Sequence, residues 1–530
     1  ANALACTNLI VGKNASADGS TIVSYSADSY GLFGELYHYP AGMHKKGTLI
    51  DIHEWDTGKY LGQIAQARQT YNVIGNMNEF QLTIGETTFG GRPELVDTTG
   101  IIDYGSLIYL GLQRSRTARE AIKVMTELVQ EYGYYSGGES FTIADPNEIW
   151  IMEMIGKGPG VRGAVWVAVR VPDDCISAHA NQSRIHQFNM NDKENCMYSP
   201  DVISFAREKG YFDGVNKDFS FANAYAPLDF GARRYCEARV WSYFNMFTDR
   251  GNEFLPYILG ETNTPMPLFV KPNRKVSVQD VKNAMRDHYE GTPLDISKDF
   301  GAGPYHTPYR LSPLSFKVGD REYFNERPIS TQQSGFVFVA QMRSELPDPI
   351  GGVLWFGTDD ANMTVFTPVY CCTDKVPVCY TRVDGADYIT FSWNSAFWIF
   401  NWVANMVYPR YDLMMGDVRA TQTELETTFN EAQEGVEAAA AKLLEKDPAK
   451  AKAFLTNYTN MTAQSTFDTW KRLGEFLVVK YNDGVVKRMK NGQFERNSIG
   501  QPAGVIRPGY PKEFLEEYVK QTGDRYKMPE

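Results

Sequence analysis

Residues 7–11 and 21–25 are runs enriched in Val, Ile, Thr and Leu, the composition of strands, and Asp18-Gly19 between them is a turn signal, so the chain is predicted to open on a β-hairpin. Residues 36–53 alternate polar and apolar positions around Pro40-Ala41-Gly42, and residues 71–88 follow the order strand, turn, strand. The first helical period falls at 115–131: Ala121, Val124, Met125, Leu128 and Val129 recur on one face, Thr117 and Glu120 have capping-box spacing, and Gly133 is the stop. A second hairpin turns at Asp145-Pro146-Asn147, a strand covers 164–171, and an alternating strand from Cys175 ends in His179 and Asn181. Helical patterns mark the start of 200–224, the arginine-bearing stretch 230–241 and residues 276–287, and strands return at 335–342, 352–357 and 364–370. The apolar run 395–408 is too short to span a bilayer and is interrupted by Asn401 and Asn405, so it predicts a buried helix. Residues 421–445 and 449–480 carry helical periods broken by Asp447-Pro448, and a short helix is expected at 512–521. Strands accumulating around few helices predict an α+β fold of stacked antiparallel sheets with helical outer layers, followed by a helical C-terminal section.

The opening hairpin also carries chemistry. Cys6 opens the first strand and Asp28 closes the second, so the turn brings a nucleophile beside an acid. Ala3-Leu4-Ala5 fits the small-x-small pattern upstream of a signal-peptidase site, and cleavage after Ala5 would free the α-amine of Cys6. Cleavage after Ala3 is equally allowed and leaves Leu4-Ala5 for a second, autocatalytic step. A free α-amine titrates near ~8 and a thiol near ~8.5, so one residue can supply both nucleophile and base. Against this stand a half-buried structural cysteine and a lipid-modified one, the latter disfavoured because Ala3 occupies the position where Leu is usual.

Composition narrows the class. The 530 residues, 43% hydrophobic and 22% charged, are enough for a large globular core. A net charge of −11 argues against a general nucleic-acid binder. No apolar run is long enough for a membrane span. If Cys6 is reactive, the six cysteines at 175, 196, 236, 371, 372 and 379 form an even set that permits disulfides in an exported compartment. Cys371-Cys372 with Cys379 lacks a nearby His and CxxC spacing, and no metal or other cofactor is expected.

Cys6-Thr7, Ala17-Asp18-Gly19-Ser20-Thr21-Ile22 and Asp28-Ser29 together resemble the opening of the N-terminal-nucleophile (Ntn) cysteine dipeptidases, relatives of bile-salt hydrolases and penicillin V acylases. Met77-Asn78-Glu79, His179-Ala180-Asn181-Gln182, residues 230–241, Asp287-His288-Tyr289-Glu290-Gly291-Thr292-Pro293 and Phe336–Arg343 extend the likeness to about residue 410. The resemblance implies an Ntn αββα sandwich. It makes the Cys6 α-amine the base in preference to His179, and gives Asn181 the oxyanion-donor role beside backbone amides around Glu86–Thr88. It sets an arginine beside the nucleophile, best matched by Arg234 with Arg239 as the alternative. Residues 287–295 are weighed as a structural corner with contacts to the charged ends of a substrate. One position departs from the pattern: three residues before Asp28 the family commonly places an arginine near the sulfur, and this chain has Tyr25.

The expectation is therefore an exported dipeptidase with catalytic residues Cys6, Asp28, Asn181 and Arg234, acting on dipeptides without nucleic-acid partners. Its expected parts are a leader over 1–5, a catalytic domain over 6–415 and a helical extension over 416–530. Sister enzymes imply a homo-oligomer. The alternatives are an N-acyl amide hydrolase and a non-catalytic peptide-binding protein that keeps its leader.

Overall fold

The opening hairpin forms where its residues dictate. Asn8–Val11 pairs antiparallel with Thr21–Asp28, Ile10 opposite Val23. The Asp18 carboxylate closes the loop by accepting the Ser20 amide and the hydroxyls of Ser16 and Ser20, with Gly19 in the left-handed region at φ 79°. The computed structural model describes residues 6–529, so the expected leader over 1–5 lies outside the described residues.

Thr21–Asp28 is buried along its whole length because it is an interior strand. Its six-stranded sheet runs in the order Ile176–His179, Asn8–Val11, Thr21–Asp28, Ser334–Met342, Val353–Thr358, Thr367–Tyr370. An eight-stranded sheet faces it, with Thr83–Gly90, Gly138–Ala144, Ile149–Gly156 and Ala164–Arg170 as its long antiparallel strands. Helices Tyr104–Arg114 and Ala118–Tyr132 cover the eight-stranded sheet, and Ala396–Val407, Tyr411–Lys446 and Pro448–Tyr481 cover the six-stranded one. The fold is α+β with the layers helix, sheet, sheet, helix.

The two sheets come into close contact at Gly85. A Cβ there would lie 2.4 Å from Asn8 Oδ1 and 3.5 Å from the Tyr25 Cβ. Asn8 Nδ2 ties the sheets together across that gap by donating to the Glu86 carbonyl at 2.7 Å. Only a residue without a side chain leaves room for this contact.

The helix expected at 115–131 begins at Ala118, with Thr117 as its N-cap and Gly133 as its stop at φ 81°. A further helix, Tyr104–Arg114, precedes it. Asp103 caps that helix, and its buried Leu107, Ile108, Leu110 and Leu112 pack on the sheet. The apolar run near 400 is the buried helix its composition predicts, and among the described residues no helix is long and apolar enough to cross a membrane. The seven cysteines are unpaired.

Asp447 ends one long helix and caps the next, as the Asp-Pro break predicts. Residue 415, the expected domain boundary, falls within Tyr411–Lys446. That helix is fastened to the body by buried pairs, Arg286 with Glu426 at 2.5 Å and Arg343 with Glu437 at 2.6 Å. Burial pushes the Glu426 carboxyl up, but Arg286, Lys282 and the Phe366 amide outweigh it and hold it down at about 2. Its contribution to stability is therefore complete above the ordinary carboxylate range and is lost as pH falls from there toward 2. Glu426→Gln, which leaves Arg286 buried without its counter-charge, is expected to lower the unfolding free energy by about 3 kcal/mol at pH 7 in urea titrations. The difference from the wild type should shrink below pH 4.

Candidate active site

Cys6 precedes the first strand, 2% exposed, and lines a cavity of about 810 Å³ with Tyr25, Asp28, Trp55, Asn76 and Tyr104. The close approach at Gly85 brings Glu86 to the sulfur: Cys6 Sγ lies 3.4 Å from Glu86 Oε1 and 3.7 Å from the Tyr25 hydroxyl. Tyr25 donates to the same Oε1 at 2.5 Å. Burial pushes the Cys6 thiol well up, and the charges of Glu86 and Asp28 add to that, while the Asp28 backbone amide and the Tyr25 hydroxyl pull it down. Burial likewise raises Glu86 to about 7 against the hydrogen bonds from Tyr25 and Cys6, and its Oε2 has no partner among the described residues. Near neutral pH this carboxyl is divided between its protonated and ionised forms. Tyr25 is driven well above the ordinary phenol range, first by burial and then by the neighbouring sulfur and Glu86, so it stays a hydrogen-bond donor.

A buried guanidinium anchors the other side. Arg239 stands in the first turn of helix Ala238–Phe247, directly after the π-helical turn Ala232–Glu237. Its Nη1 donates to the Cys6 carbonyl at 2.6 Å and to Thr7 Oγ1 at 2.8 Å. Its Nη2 donates to the Ala180 carbonyl at 3.0 Å and to Asn181 Oδ1 at 2.9 Å, and Nε donates to the Tyr235 carbonyl at 2.7 Å. Burial, with some repulsion from Arg327, pulls Arg239 down to about 10, and it remains charged at neutral pH.

The expected site residues divide accordingly. Asn181 follows the strand Ile176–His179 in the left-handed region at φ 66°, a conformation asparagine tolerates better than most residues. Arg239 holds its Oδ1, and its Nδ2 donates to the Thr88 carbonyl at 2.8 Å. The Asp28 backbone faces the sulfur, while its carboxylate accepts from Arg327 at 2.5 Å, Ser334 Oγ at 2.6 Å and Ser26 Oγ at 3.0 Å. Arg234 is turned away: its guanidinium pairs with Glu326 and lies over the Phe324 ring, 5.0 Å from the centroid. The guanidinium against the Cys6 residue is that of Arg239, the alternative in the sequence, because the widened π turn rotates the two arginines onto faces that an ideal helix would not give them. His179 lies between Thr87 Oγ1 at 2.7 Å and Thr142 Oγ1 at 2.6 Å, and burial pulls it down to about 3, so it is a neutral core residue. Asp287 is half-buried and accepts from Ser242, and the buried His288 packs edge-on against Tyr309, so neither lines the cavity.

The Glu86 side chain and Arg327 escaped the sequence reading, in which Glu86 counts only for its backbone amide. Arg327 gave no signal in its neighbourhood. Glu86 did, as the only charged residue of Thr83–Gly90, a strand otherwise of Thr, Gly, Ile and Phe. The assembled site offers a thiol on a fixed backbone, a carboxyl that titrates near neutrality, and amide donors close by. That is equipment for acyl transfer.

The model of peptidase family C69 matches residues 5–38 and 33–424. A probable dipeptidase of Salmonella dublin is 30% identical over 395 residues, covering 69% of this chain and 81% of that protein. A probable dipeptidase of Latilactobacillus sakei is 26% identical over 474 residues, covering 85% and 90%. Probable dipeptidase B of Lactococcus lactis subsp. lactis (strain IL1403) is 25% identical over 503 residues, covering 89% and 95%. With the family match running through most of the chain and spanning the Cys6 hairpin, the Asn181 loop and the Arg239 helix, this protein belongs to peptidase family C69.

Proposed function

We propose that the protein is a dipeptidase whose nucleophile is the Cys6 thiol, made competent by removal of residues 1–5. The observation that carries this reading is the Arg239 clamp: a buried guanidinium fixes the carbonyl of Cys6 while its sulfur faces the cavity. The names of the relatives support dipeptides as the substrate class.

In this mechanism the thiol adds to the scissile carbonyl and its proton passes to the freed α-amine of Cys6. The amine returns the proton to the departing amino group as the C–N bond breaks, leaving a thioester on Cys6. Water, deprotonated by the same amine, adds to the thioester, and collapse releases the acid and restores the thiol. The Asn181 amide, held at Oδ1 by Arg239 and at Nδ2 by the Thr88 carbonyl, is set to stabilise the oxyanion. Asp28, with its carboxylate fixed by Arg327, Ser334 and Ser26, positions the new N-terminus. Arg239 takes the place beside the nucleophile that the sequence assigned to Arg234. The small-x-small pattern before Cys6 supports export with cleavage by signal peptidase or by the enzyme itself. Residues 6–415 form the catalytic unit in this reading, with 416–530 as its helical cover.

Intact-mass measurement of the active protein should give a chain beginning at Cys6, and Cys6→Ala should lose dipeptide hydrolysis altogether. A fully active Cys6→Ala variant would rule the mechanism out. Asn181→Ala should lower kcat by about 10²–10³, the usual effect of losing one oxyanion donor.

Glu86 supplies the pH test. Its ionised form opposes the thiolate, so Glu86→Gln should shift the pH midpoint of Cys6 alkylation by iodoacetamide downward, followed at the Cys6 peptide by mass spectrometry. A carboxyl raised to about 7 in the folded state binds a proton more tightly there than when unfolded, so stability falls as pH rises from about 4.5 to 7. Glu86→Gln should remove that fall, and thermal unfolding at pH 5 and pH 8 would detect it.

A further inference from the structure

The cavity wall above Cys6 carries four carboxylates, Asp28, Glu54, Asp56 and Asp387, and one guanidinium, Arg382. Two of these charges are already answered: Arg327 pairs with Asp28 and Glu35 with Arg382. Glu54 and Asp56 take no ion pair among the described residues. They stand on the turn between strands Leu49–His53 and Tyr60–Ala65, and the turn is held in place. The Trp55 amide donates to Asp103 Oδ2 at 2.9 Å, and Asp103 also caps helix Tyr104–Arg114. Trp55 packs so closely on that helix that a Cβ at Gly105 would lie 2.5 Å from its own Cβ. The buried Tyr104 hydroxyl donates to Asp56 Oδ1 at 2.9 Å. Burial and the neighbouring charges of Asp103 and Glu54 raise the Asp56 carboxyl, and the Tyr104 hydrogen bond lowers it.

Among the described residues Glu54 and Asp56 have no cation paired with them, and a second observation indicates the kind of group that would supply one. Asn76, 2% exposed, lines the same cavity, donates its Nδ2 to the Ile84 carbonyl at 2.8 Å and leaves its buried Oδ1 without a partner among the described residues. An unpaired buried carbonyl oxygen calls for an N–H donor. The rings of Trp55, Tyr37 and Tyr109, packed at centroid distances of 4.8–5.9 Å, line the same space and favour a positive charge over their faces. The placement suits a small peptide. Asp56 and Cys6 line one cavity, and in a dipeptide the scissile carbon is only two bonds from the α-nitrogen.

We infer that Asp56 is the specificity-determining residue that receives the protonated α-amine of the substrate, so that the site takes peptides with a free N-terminus and rejects N-acylated amides. The inference rests on the dipeptidase reading above and separates it from the N-acyl amide alternative.

The test compares Asp56→Asn with the wild type on alanyl-alanine and N-acetyl-alanyl-alanine, and measures calorimetric binding of both in a Cys6→Ala background. Losing a hydrogen bond to a charged group should raise KM for alanyl-alanine roughly ten- to a hundredfold with kcat little changed. Binding should weaken by a similar factor, while values for the N-acetyl compound stay put. Asp56→Glu should recover part of the affinity, which a merely structural role for the turn would not predict. A KM for alanyl-alanine within about twofold of the wild type, or equal losses on both compounds, would overturn the assignment. So would a wild type that prefers the acetylated peptide. The binding arm keeps the two readings apart: Asp56-dependent binding without turnover would remove the hydrolytic mechanism and leave the ammonium site, and turnover without Asp56 dependence would do the reverse.

Discussion

A guanidinium taken out of water must find an acceptor for every N–H it carries, and Arg239 does so with oxygens from three separate parts of the chain. Its five donors reach Tyr235 on its own helical segment, Cys6 and Thr7 at the start of the first strand, and Ala180 and Asn181 just beyond the strand Ile176–His179. None of these acceptors is a carboxylate, so the charge is stabilised by oriented dipoles and cannot be lost by protonating a partner. Leaving one of the donors unsatisfied in the core would be costly, which makes the convergence of the three segments close to obligatory. The nucleophile, the proposed oxyanion donor and the helix that follows the π turn are placed by this one buried ion.

The opposite side of the sulfur is built from anionic groups. Where the resemblance sets an arginine, Tyr25 supplies a neutral donor, and among the described residues Glu86 is left beside the thiol without a paired cation. The consequence is a carboxyl raised to about 7 and a thiol raised well above its ordinary range. Such a cluster is under electrostatic strain while it stays desolvated, and a positive charge nearby relieves it. The proposed α-ammonium of the processed Cys6 and the α-ammonium of a bound peptide are both charges of that kind. Gly85 leaves room for the Asn8 amide that bridges to the Glu86 carbonyl, since a Cβ there would lie 2.4 Å from Asn8 Oδ1.

Much of this was legible in the chain itself. Alternation and turn residues gave the hairpin that brings Asp28 back to Cys6, and the capping signal at Thr117 and the break at Asp447-Pro448 hold in the structure. Local rules of that kind depend on a few neighbouring residues, and such residues are visible in sequence. Helix Tyr104–Arg114 was missed because its stability comes from packing Leu107, Ile108 and Leu110 on a distant sheet.

By itself, the sequence determined the layered α+β class, the long C-terminal helices and the residue types at Cys6, Asp28 and Asn181. Tertiary structure alone decided which arginine reaches the nucleophile, because a single π-helical turn redirects every side chain after it and leaves no period in the sequence to mark it. It also decided that His179 is a neutral core residue and that Glu86 is a titrating group. In both cases the deciding quantity is desolvation, which depends on how two sheets pack across residues far apart in the chain.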